Sequence, residues 1–286
     1  MEISSIHEFI DIIEQLQNKY TYHEKGIRGE AIEPKFLFRG HGNHEGYKLL
    51  PQIRREIVTS SGTRTKFSQL EYNILSDFIS EAKCYDYNIP ENDLLAWMEV
   101  AQHHGVPTRL MDLTENPLIA LYFACRSKSD KIASVWIINE KSYKKIFYNQ
   151  GFLELTIDSQ VIVQNIINRE IICLGKPEMV SVPEYRYPWI YKPLHRKERM
   201  NSQASMFMIW GSRSGSLESM VSDSHYMNLT DTLSDDMKQK GILCAVKIKP
   251  DKKPDLLRQL DMLGINEKFI YPGLDGVGKS IALKYS

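Results

Sequence analysis

Two prolines ten residues apart, Pro107 and Pro117, bracket the segment that most restricts how this chain folds. Proline has no amide hydrogen to give and clashes with the preceding helical turn, so no single helix runs through QHHGVPTRLMDLTENP, residues 102–117. What lies between the prolines, residues 108–113, is left as a short strand. Alternate side chains of a strand share a face, which sets Thr108, Leu110, Asp112 and Thr114 on one side and Arg109, Met111 and Leu113 on the other. Asn116-Pro117 then opens a helix, with Pro117 near its first position and LIALYFACR following.

The rest of the chain supplies further helices and strands. Ser4 or Ser5 caps a first helix, with Glu8 placed to reach back and Ile6, Phe9, Ile10, Ile13 and Leu16 on one face. Apolar positions spaced by three and four predict helices at 66–84, 94–100 and 253–263. Apolar and β-branched runs predict strands at 36–38, 133–138, 204–210 and 242–248. Residues 150–172 fit strand or helix, 185–191 are aromatic, proline-broken and loop-like, and the Ser/Gly/Asp-rich connection after Trp210 is expected to be the most mobile part. Pro272 to Gly276 reads as a turn before a terminal strand. Without regular βαβ alternation this order predicts an α+β fold. At 286 residues, with 42% hydrophobic and 25% charged, we expect one domain: a helical lead-in over 1–34 and a core over 35–286.

Charge excludes some partners. Lys plus Arg equals Asp plus Glu, 36 against 36, so no global field draws the chain to nucleic acid or an anionic membrane. The basic run KPLHRKER, residues 192–199, is short and of the kind usually found on solvated faces. No apolar stretch approaches the roughly 18 residues that span a bilayer, and the acidic, amphipathic N-terminus lacks the marks of a signal peptide. A cytoplasmic location is expected. Cys84, Cys125, Cys173 and Cys244 are far apart and read as reduced core thiols. The histidines show no H-x-x-x-H or H-E-x-x-H spacing, so no metal site is expected, and no G-x-S-x-G marks a nucleophile elbow.

Two segments concentrate polar groups. In FLFRGHGNH, Arg39 leaves an apolar strand and meets a glycine turn; its planar fork suits a diphosphate or carboxylate, or an ion pair with a core carboxylate. In the 102–117 block, Asp112 either serves a site or pairs with Arg109 or Arg39, and Asp112 or Thr114 is placed to cap the next helix.

With Phe38-Arg39-Gly40, the block His104-Gly105, Pro107 to Leu110, Asp112 and Thr114, the following Asn116-Pro117 and Ala120 to Ala124, and the distant Gln203, Ser205, Phe207 and Leu274-Asp275-Gly276, the chain resembles the FRG-domain family. The resemblance implies a bacterial domain of phage-defence or toxin-like systems, with a possible operon-encoded partner. It implies the fold of ADP-ribosyltransferases, a split pair of small β-sheets with flanking helices, and NAD as a substrate bound between them. Arg39, Asp112, Thr114 and Gln203 would then be catalytic, and Arg39, Gly40, His41, His104, Thr108 and Arg109 would bind the NAD. Arg39 would neutralise the diphosphate, Gly40 would let the backbone meet the nicotinamide amide and Thr114 would contact a ribose. The acceptor would be an unidentified macromolecule or water. Ser205 stands where such enzymes place a glutamate, so Glu198, Glu218, Glu267 or Asp112 would replace it, or the domain would bind a nucleotide or partner without chemistry. Arg39, His104, Asp112 and Gln203 are expected to converge on one cleft.

Overall fold

The spine of the structure is an antiparallel pair, β4 (Phe36–His41) and β6 (Ala133–Asn139), in register from Phe36 opposite Asn139 to His41 opposite Ser134. The coordinates are a computed structural model that describes residues 1–23, 31–55, 67–85, 87–148, 159–174, 185–193, 202–222 and 241–284. On the far edge of β6 lies β9 (Leu243–Ile248), and β1 (Glu2–Ile3) runs parallel beside it. On the other side, β4 meets β5 (Leu110–Thr114) at one position only, Phe38 opposite Thr114. From there β5 pairs along its length with β8 (Ser205–Ile209), and β7 (Trp189–Tyr191) closes that edge. The sheet therefore has seven strands in the order β1-β9-β6-β4-β5-β8-β7. β2 (Tyr22–His23) and β3 (Ala31–Ile32) make a separate ribbon.

This is a mixed α+β architecture, but the two free-standing small sheets expected above are joined into one. The joint is a single residue pair, with four strands on one side and three on the other.

Both faces of the sheet are covered, so its strands are apolar in both directions. Neighbouring Leu37 and Phe38 go to different cores, the first with Leu110, Ile138 and Met208, the second with Val135, Ile137 and Val246. The first face carries α2 (Phe67–Ala82) and α3 (Leu94–His103), together with α5 (Glu140–Phe147) and α6 (Ser159–Ile167), which runs on into a π-turn at Asn168–Ile172. The second carries α4 (Pro117–Arg126) and α8 (Lys253–Met262). At the N-terminus, α1 (Ile6–Tyr20) starts as expected: Ser5 Oγ accepts from the Glu8 amide at 3.2 Å and the Glu8 carboxylate accepts from the Ser4 amide at 2.6 Å.

Several expectations change. The 185–191 segment contains strand β7: Pro188 lies just outside it, and an edge strand needs only one side of its backbone paired, through β8. The C-terminus forms α9 (Glu267–Ile270) and α10 (Leu274–Lys284) in place of a turn and strand. Two glycines in α10 masked its helical spacing, and one is needed: a Cβ on Gly276 would stand 1.7 Å from the Tyr271 carbonyl oxygen. Of the 150–172 segment, residues 159–172 are helical and 150–158 lie outside the described residues, as do 194–199 of the basic run. The connection after Trp210 holds α7 (Leu217–Ser222), and its residues 223–240 also lie outside. All four cysteines are free, but Cys84 is exposed and not in a core. No helix among the described residues is long and apolar enough to cross a membrane.

Candidate functional site

Where β4 and β5 part, the sheet opens into a cavity of about 360 Å³. That is within the usual range for small-molecule sites, roughly 300–1,000 Å³. β4 contributes Phe38, Arg39 and Gly40, β5 contributes Asp112 to Thr114, and β8 and the turn before it contribute Phe207, Ser205 and Gln203. α3 adds Glu99, Gln102 and His103, α4 adds Phe123 and Arg126, and Tyr271 completes the rim.

The parting of the strands follows from Arg39. Past the one Phe38–Thr114 pair, its Nη1 donates to the Asp112 carbonyl oxygen at 2.5 Å, so a side chain takes the place of the ladder amide. The same nitrogen lies 3.8 Å from Asp112 Oδ2, and Nε donates to His41 Nε2 at 3.1 Å. The guanidinium is mostly shielded: burial pulls its pKa below the usual value while the Asp112 charge pulls it back up, and it stays a cation. Burial first, and then the positive charges of Arg39 and Arg55, push the His41 imidazole down to about 2, so it is neutral at ordinary pH. A neutral ring can accept at Nε2, which fixes the proton on Nδ1.

The opposite wall is tied together in the same way. Gln102 donates through Nε2 to Asp112 Oδ2 at 2.9 Å and accepts from Thr108 Oγ1 at 2.7 Å. Thr114 Oγ1 donates to the Gln203 carbonyl oxygen at 2.7 Å and accepts from the Asn116 amide at 3.0 Å. Asn116, not Thr114 or Asp112, caps α4, accepting from the amides of Leu118 and Ile119. Gln203 Nε2 donates to the Ile270 carbonyl oxygen at 3.0 Å. Between Gln203 and Ser205, Ala204 has φ 45°, a left-handed conformation that costs a residue with a Cβ free energy and recurs at functional sites. Arg126 Nε donates to Glu267 Oε1 at 2.6 Å at the rim.

Five of the sequence-predicted residues, Arg39, Gly40, Asp112, Thr114 and Gln203, line this one cavity. The others do not. Arg109 is wholly buried in another place, its Nη2 2.5 Å from Glu71 Oε2, its Nε donating to the same oxygen at 2.7 Å and its Nη1 to the Trp210 carbonyl oxygen. Thr108 is buried and hydrogen-bonds to Gln102 and to the Leu110 amide. His104 shares a 2.7 Å hydrogen bond with Tyr87 and packs against Phe78, away from the cavity. His41 stands behind Arg39. Gly40 has a packing role as well: a Cβ there would stand 2.0 Å from the Ala120 carbonyl oxygen, so the glycine admits the backbone of α4.

Glu99, Gln102 and His103 were missed. They occupy one face of α3 at i, i+3 and i+4, and the signal was a lone glutamate inside the apolar run LLAWMEVAQH. Glu99 is buried near Tyr191; burial first, then the charge of that carboxylate, raise the Tyr191 pKa well above the ordinary phenol value. Of the carboxylates named as replacements at Ser205, Glu218 accepts from the Leu49 amide instead, Glu267 pairs with Arg126, and Glu198 lies outside the described residues. Glu99 and Asp112 are the carboxylates on the cavity wall among the described residues. No curated protein and no solved structure matches the chain. The segment from β4 through α4, which supplies most of this wall, is also where the chain is recognisable: residues 34–132 match the family model of the FRG domain.

Proposed function

We propose that the cavity takes NAD as a substrate and that the protein cleaves its nicotinamide-ribose bond, passing the ADP-ribosyl group to an acceptor. In that reaction the bond from C1′ to the pyridinium nitrogen breaks with its electron pair on nicotinamide, and C1′ gains a bond to the acceptor. A positive charge develops on the ribose, so the site needs a fixed negative charge there and a cation for the phosphates.

The observation that carries this reading is a buried carboxylate, Glu99, and a shielded guanidinium, Arg39, on the walls of the same cavity. Glu99 comes from a helix and supplies what Ser205 on β8 cannot. Arg39 suits a phosphate oxygen because its geometry is already held by His41 and Asp112. Phe38, Phe123, Phe207 and Tyr271 offer flat apolar surface for a nicotinamide ring.

The test is nicotinamide release from NAD by purified protein, followed chromatographically, for the wild type and for Glu99→Gln. Release by the wild type and a loss of about 10²–10³ in turnover for the variant, with NAD affinity kept, are expected when one electrostatic group is removed. Binding without release would leave a nucleotide-binding module; neither binding nor release would overturn the reading altogether.

A further inference from the structure

We infer that His103 is the base that takes the proton of a hydroxyl acceptor, from water or from an alcohol. The inference rests on the NAD reading above and deepens it by naming the acceptor's chemistry.

Proton bookkeeping sets the requirement. Nicotinamide leaves as a neutral base when its pyridinium nitrogen takes the bonding pair, so the leaving group needs no acid. A hydroxyl oxygen that bonds to C1′ must give up one proton, so the reaction needs one base. The products are the O-ribosyl compound, nicotinamide and a proton.

Among the described residues, the charged and titratable groups that line the cavity with His103 are Glu99 on its own helix, Asp112 on β5, Arg39 on β4, Arg126 on α4 and Tyr271 at the rim. The arginines hold their protons at any ordinary pH, and a tyrosine holds its own at neutral pH. Asp112 already accepts from Gln102 and faces Arg39. Glu99 has to stay ionised against the ribosyl charge, and it lies buried beside Tyr191.

His103 is placed differently. It ends α3 one turn beyond Glu99, on the same helical face, and is partly open to solvent, to which it can pass a proton. The His104 ring stands edge-on to it with centroids 5.1 Å apart, and His104 is itself held by Tyr87. The adjacent pair thus divides its work, one ring towards the cavity and one away from it. An imidazole is also the side chain whose charge changes between about pH 5 and 8, as a base working near neutral pH requires.

The experiment is the pH dependence of nicotinamide release between pH 5 and 9, for wild type and His103→Gln, with methanol added in one arm as an alternative acceptor. The wild type is expected to lose activity on the acidic side of this range and to yield methyl ADP-ribose in the methanol arm. His103→Gln is expected to release nicotinamide about 10²-fold more slowly or worse, without the acidic limb, at unchanged KM and melting temperature. A variant that keeps the wild-type rate and limb would overturn the role of His103 while leaving NAD cleavage intact. A wild type with no acidic limb, or with no methyl transfer from added methanol, would overturn it without any variant. A wild type that releases no nicotinamide would remove the NAD reading and this inference together.

Discussion

Replacing Glu71 by glutamine tests whether Arg109 belongs to the fold and not to the site. Both side chains are fully buried; Glu71 accepts from the Arg109 backbone amide at 3.0 Å and from its Nε at 2.7 Å, and Nη2 lies 2.5 Å from Oε2 as an ion pair. The substitution keeps the shape but removes the charge, so the buried guanidinium loses the Glu71 carboxylate. Breaking a buried pair in this way costs about 3–5 kcal/mol, a large part of the roughly 5–15 kcal/mol that holds a domain folded. At roughly 2–4 °C per kcal/mol for a chain of about this size, the melting temperature should fall by at least about 6 °C. Thermal unfolding followed by circular dichroism measures it, with NAD affinity determined below the transition. Affinity per folded molecule should be unchanged. A variant that melts like the wild type but no longer binds NAD would refute the argument and return Arg109 to the site.

Other consequences concern the elements around the cavity. Gly40→Ala should destabilise by at least about 1–3 kcal/mol, since the added methyl meets the backbone of α4 and backbone cannot step aside; denaturant titration would register it. Asp112→Asn should cost under about 1 kcal/mol, because the Asp112 side chain is 56% exposed and the ion pair with Arg39 is long; a larger fall in the unfolding midpoint would show a structural role. His41 sets a pH dependence: its folded pKa of about 2 lies below the unfolded value of roughly 6.5, so between the two the unfolded chain binds the extra proton. Its contribution is fully present above roughly pH 6.5 and is lost as pH falls towards 2, by up to about 1.4 kcal/mol per pH unit, and His41→Gln should flatten that part of the stability curve.

What was legible in the sequence was local. The Asn116-Pro117 start of α4, the β5 strand between two prolines and the Ser5–Glu8 cap of α1 depend on neighbours within a few residues. Strand alternation also separated Arg109 from Asp112 correctly, but which of the two entered a core depended on Glu71, 38 residues away. β7 was missed because its partner β8 is distant in sequence and its own residues are broken by proline. Glu99 was missed because a glutamate in an apolar helix gives no hint of what the helix packs against. His103 and His104 carry the same side chain at adjacent positions, and only the end of α3 decides which of them reaches the cavity. The packing role of Gly40 was not legible, since the helix that fills the space of its missing Cβ lies 80 residues on, at Ala120.

NAD is proposed to bind where β4 and β5 part. A crystal structure of the protein with a non-cleavable NAD analogue tests it most directly. The nicotinamide-ribose end is expected between Arg39, Glu99 and His103, with a phosphate oxygen on the Arg39 guanidinium. An analogue bound elsewhere, or density in the cavity that leaves Arg39 and Glu99 untouched, would contradict it.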